Sequence, residues 1–89
     1  MSSTPTEKDI YRILNEWIAA AERGENCKAY RDDFGVLERT IFGKPAERVT
    51  NPVAMKYDLT RNAIVRYSGS KDPEDLAQAR ELFAQITSP

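Results

Sequence analysis

The strongest constraint on this chain is the spacing of its apolar residues between positions 10 and 21. Ile10, Ile13, Leu14, Trp17, Ile18 and Ala21 fall at i, i+3, i+4, i+7, i+8 and i+11. At 3.6 residues per turn all six lie on one side of a helix. Thr4-Pro5-Thr6-Glu7 just upstream has the form of a capping box, with Thr4 at N-cap, Pro5 at N1 and Glu7 at N3. Arg12 and Glu16 pair on the solvent side, and Gly24 supplies a stop. The spacing predicts a helix over 5–23 whose apolar stripe needs covering by other elements.

Those elements follow within a short chain. At 89 residues there is room for one domain, with an ordered core over 5–86. Between Asn26 and Gly43, Tyr30, Phe34, Leu37 and Ile41 share a helical face, and Gly43-Lys44-Pro45 ends the element. Gly35 sits in its middle, either tolerated in one helix or turning between two. At the other end, Asp72-Pro73-Glu74-Asp75 opens a helix with a cap, a proline at N1 and acids at the positive end of the dipole. Leu76, Ala79, Leu82, Phe83 and Ile86 form its buried stripe, predicting a helix over 73–86.

The segment 50–69 supports two structures. Val53, Met55, Tyr57 and Leu59 alternate with Ala54, Lys56 and Asp58, and Ala63, Val65 and Tyr67 alternate again. That pattern suits a hairpin of two strands. Thr50-Asn51-Pro52 is a helix start and Gly69 a stop, and the expected hairpin turn lacks a glycine. Helix is therefore the expectation. The fold class is mainly α, a small bundle of four to five helices with a helix-turn-helix-like unit. The alternative is α+β, with a β-hairpin at 53–67 in a winged-helix-like arrangement.

Composition excludes several functions. The chain has no His, one Cys and a net charge of −1. No His-based catalytic centre or His metal ligand is available, and an intrachain disulfide is impossible. No catalytic residues, metal site or cofactor are expected, and the protein is expected not to be an enzyme. The longest unbroken apolar run, Trp17 to Ala21, is five residues. A cytoplasmic protein without membrane insertion is expected.

Positive charge is concentrated. Residues 44–67 carry five basic groups (Lys44, Arg48, Lys56, Arg61, Arg66) against two acids, for +3, while both flanks are acidic. Within that stretch, Ala54, Asp58, Leu59, Thr60 and Ile64 occupy the small, turn, apolar, capping and buried positions of a pattern. Residues 53–67 thus resemble helix-turn-helix DNA-binding domains. The resemblance implies a turn at Asp58 and a recognition helix capped by Thr60. Arg61 and Asn62 would read guanine and adenine edges, and Lys56 and Arg66, with Lys44 and Arg48, would contact phosphates. Phe34-Gly35-Val36-Leu37-Glu38-Arg39-Thr40-Ile41 fits the same pattern. In the winged-helix alternative, Glu38 and Arg39 take over the reading face.

The leading functional expectation is a small helix-turn-helix transcriptional regulator that binds duplex DNA as a homodimer. The alternative is a non-enzymatic module with a protein partner, acting as adaptor, inhibitor or accessory subunit. Other features carry plainer expectations. Trp17 belongs to the core and Cys27 is a semi-buried structural residue. Tyr11, off the stripe, could seed a binding patch with Tyr30 or Phe42.

Overall fold

A computed structural model of the chain describes residues 4–89. Five helices follow one another: α1 (Glu7–Glu22), α2 (Lys28–Phe42), α3 (Pro45–Arg48), α4 (Pro52–Ser70) and α5 (Pro73–Ala84). No strand occurs among the described residues. The result is a mainly α bundle of five helices joined by tight turns, a coarse arrangement compatible with helix-turn-helix domains.

The stripe of α1 organises the bundle. Ile10, Leu14, Trp17, Ile18 and Ala21 are all buried. They meet Phe34 from α2, Tyr57, Ala63 and Ile64 from α4, Ala79 from α5 and Ile86 beyond it. The Trp17 and Phe34 rings lie 5.8 Å apart, and Phe42 and Tyr57 lie 5.6 Å apart, within the range of favourable aromatic packing. α4 and α5 pack along each other as an antiparallel pair, and α3 bridges α2 and α4. Tyr11 packs on Phe83 at 4.7 Å and seeds no patch with Tyr30 or Phe42.

The helix ends follow side-chain chemistry with some shifts from the sequence reading. Two overlapping Thr-x-x-acid boxes precede α1, and the fold uses the second. Thr6 is the N-cap, and its N–H donates to Asp9 Oδ2 at 2.7 Å. Thr4 and Glu7 do not form the expected box, because the helix starts two residues later. Gly24 ends α1 at φ +74°, with Glu25 N–H donating to Ala20 O and Gly24 N–H to Ala21 O. This is the Schellman pattern, which favours glycine at the left-handed position. Gly43, at φ +90°, ends α2, and a Cβ there would lie 2.7 Å from Glu47 Oε2.

Two alternatives left open by the sequence close on helix. α2 runs unbroken through Gly35, so residues 28–42 do not split into the two helices of a winged-helix unit. α4 runs unbroken from Pro52 to Ser70, so there is neither a hairpin at 53–67 nor a turn at Asp58. Asn51 Oδ1 starts α4 by accepting from the Val53 and Ala54 N–H groups at 3.0 and 3.3 Å. Asp58 is held in helix by Arg61 one turn on, at 3.0 Å. Thr60 caps nothing: its hydroxyl donates to Lys56 O at 2.9 Å from a fully buried position. The stop also moves, from Gly69 to Lys71, which takes a left-handed conformation at φ 58°.

Two substitutions test these backbone assignments. A Cβ at Gly35 meets nothing within 4 Å, so Gly35→Ala is expected to stabilise the protein by up to about 1 kcal/mol in thermal unfolding. Lys71→Gly relieves a left-handed non-glycine residue. It is expected to add roughly 1 kcal/mol in urea unfolding, although the Lys71 ammonium, 5.8 Å from the Tyr67 ring centre, is lost.

Candidate functional site

The face built by α3 and the first half of α4 departs most from what the fold requires. Met55, Leu59, Asn62 and Arg66 lie at i, i+4, i+7 and i+11 on α4, opposite its buried side. Met55 is 46% exposed, Leu59 50%, and Val49, from the turn after α3, 66%. Together with Arg48, Asp58 and Asn62 they line a shallow groove of about 130 Å³. Val53, 40% exposed, adds a further apolar residue to the start of α4.

The apolar face rests on a charged cluster contributed by three helices, buried at Glu38 and part-buried elsewhere. Glu38 of α2 is only 2% exposed. Its Oε2 lies 3.6 Å from Arg48 Nε of α3. Arg48 also donates from Nη1 to Gly43 O at 2.7 Å, which ties α3 to the end of α2. On α4, Arg61 Nη2 lies 3.0 Å from Asp58 Oδ1. Burial, then the hydrogen bond and negative charge of Asp58, push the Glu38 carboxyl up to about 7, against the opposing pull of Arg48 and Arg61. Glu38 thus pairs with Arg48 of α3 while standing close enough to Asp58 of α4 to feel its charge.

The residues singled out in the sequence separate into distinct environments. Lys56, Asn62 and Arg66 are exposed on α4, and Arg66 donates to Gln78 Oε1 of α5 at 3.2 Å. Arg61 is half-buried and engaged by Asp58, and Thr60 is inside the core. Glu38 is buried, so it cannot form part of a reading face as the winged-helix alternative required. Lys44, Lys56 and Arg66 form no ion pair among the described residues, whereas Arg48 and Arg61 do.

Glu38 was absent from the leading expectation, although its register marks it. It lies four residues after Phe34, on the buried side of α2. Among the described residues, no three Cys, Asp or Glu side chains gather as a metal site, and no helix is long and apolar enough to cross a membrane. Comparison with protein-family models, with curated proteins and with solved structures returned no match.

The cluster gives a defined pH dependence. Unfolded, Glu38 ionises near its ordinary value of 4.5, whereas folded it keeps its proton up to about 7. Between these limits the folded state binds more protons, so this group lowers stability as pH rises. The slope contributed by one proton is at most about 1.4 kcal/mol per pH unit. Urea unfolding from pH 5 to 8 is expected to show stability falling with pH, and Glu38→Gln to remove that component. An equal slope in the variant would assign it to other groups.

Proposed function

We propose that the protein is a non-enzymatic protein-binding module whose docking face is the α3–α4 surface. The supporting observation is the exposure of Val49, Met55 and Leu59 around one groove. Large apolar side chains grouped on a surface favour association with a matching apolar face. The fold does not need them there, since α4 packs inward through Ala54, Tyr57, Thr60, Ala63 and Ile64.

Charge selects the partner. Lys56 follows Met55 directly, Arg66 continues the Leu59 stripe, and the segment 44–67 carries +3. The partner is an amphipathic helix with acidic residues beside its apolar anchors, lying along α4 as in helix-in-groove recognition. A second copy presenting the same face would oppose like charges, so an isologous homodimer through this surface is disfavoured.

The DNA-binding proposal draws on the same cations. Lys56, Asn62 and Arg66 are exposed on one helix, and a helix laid in the major groove would bring such side chains to duplex DNA. The apolar residues among them count against it. Major-groove reading uses hydrogen-bonding side chains, with apolar contacts restricted largely to thymine methyl groups, and Thr60 and Arg61 are engaged within the bundle.

Parallel selections from random helical peptides and from random duplexes distinguish these outcomes. Acidic amphipathic peptides are expected to be enriched, and Leu59→Glu to weaken the best of them by about tenfold or more. The helical circular dichroism of that variant should be unchanged, because Leu59 is half exposed. Peptides that bind Leu59→Glu as well as the parent would overturn the docking face. So would enrichment of a duplex alone, with salt-sensitive binding lost on Lys56→Glu.

A further inference from the structure

The acid beneath the docking face shares its neighbours with that face. Glu38 is buried on α2, and charged groups reach it from two other helices: Arg48 from α3, and Asp58 and Arg61 from α4. Among the described residues, α1 and α5 bring no charged group to it. Arg48 and Asp58 also line the groove, beside Val49, Met55, Leu59 and Asn62. A change of charge at Glu38 is therefore felt where a partner would lie.

The cluster holds this acid loosely. The 3.6 Å from Glu38 Oε2 to Arg48 Nε makes an ion pair without a hydrogen bond, and both atoms are buried without a hydrogen-bond partner. Arg48 directs its Nη1 to Gly43 O at 2.7 Å instead, and Arg61 gives its Nη2 to Asp58 Oδ1 at 3.0 Å. Ionised, Glu38 leaves Oε2 without the hydrogen bond that a buried carboxylate needs, close to a second carboxylate. Burial and a like charge both favour the protonated acid. Its ionisation accordingly falls at about 7.

That proton sets the charge under the groove. With Glu38 neutral, Arg48, Arg61 and Asp58 sum to +1; with Glu38 ionised, the four groups sum to zero. An acidic partner is attracted more strongly to the first form. By reciprocity, such a partner also strengthens the hold of Glu38 on its proton. We propose that docking at the α3–α4 face is proton-linked: the acidic partner binds the form in which Glu38 is protonated, and its affinity falls as Glu38 ionises. This rests on the reading of that surface as a docking face for acidic amphipathic helices.

The probe is a helical peptide with leucines at i, i+3, i+4 and i+7 flanked by glutamates. Its binding to the full chain is followed from pH 6 to 8.5 at low ionic strength, where the peptide's own carboxylates stay ionised. The dissociation constant is expected to rise by about fivefold across that range. The Glu38→Gln variant, neutral at this position at every pH, should lose that rise. So should the parent with a control peptide carrying glutamine for each glutamate. Without peptide, the methyl group of Met55, one of two methionines in the chain and part of the groove lining, should titrate with Glu38 in the parent and not in the variant. Equal slopes for parent and variant, or for the two peptides on the parent, would overturn the linkage and leave the docking face standing. No saturable binding of the glutamate peptide at any pH would overturn the docking face, and the linkage with it. The two peptides are compared on the parent protein alone, so a folding defect in the variant does not decide the outcome.

Discussion

Burial of the α1 stripe is the interaction on which the rest of the structure depends. Ile10, Leu14, Trp17 and Ile18 are all at 3% exposure or below. They supply the apolar surface onto which α2, α4 and α5 fold. Burying one such side chain contributes about 1.5–3 kcal/mol, in a molecule whose net stability is on the order of 5–15 kcal/mol. Trp17 is the largest of them and packs on the Phe34 ring of α2.

The Glu38–Arg48–Asp58–Arg61 cluster performs a second organising task. α3 is only four residues long and has no buried residue of its own. Its position is set by Arg48, reaching Gly43 O and Glu38, and by the Lys44 N–H donating to Glu47 Oε1 at 3.3 Å. A charge as deep as Glu38 is costly unless paired, and removing Arg48 leaves it without its partner. The cluster therefore fixes where Val49 and Arg48 stand relative to Met55 and Leu59. The groove is shaped by polar geometry beneath an apolar surface.

Much of the fold was legible because the stripes of α1 and α5 and the proline starts at 52 and 73 are local signals. The segment 50–69 was ambiguous for a physical reason. Its buried side includes Ala54 and Thr60, which are weak apolar markers, while Val53, Met55 and Leu59 face outward. Apolar residues on both sides of α4 mimic the alternation of a strand. The same outward residues form the candidate docking face, so the feature that obscured the fold is the one that suggests a function. The helix-turn-helix pattern over 53–67 failed at its turn because Asp58 is compatible with helix and Arg61 holds it there.

The fold leaves the apolar side chains of the α3–α4 face without a structural reason. Thr60 at a fully buried position is explained by its hydrogen bond to Lys56 O, and Asp58 by its pairing with Arg61. Leu59, between them, has no comparable structural duty. Half of it is in water, and a polar residue there would serve the helix equally well. The same holds for Val49 and Met55. An isolated exposed apolar residue needs no explanation. Three lining one groove, placed on a rigid helix and rigidly supported from below, form a surface that gains free energy only when another surface covers it.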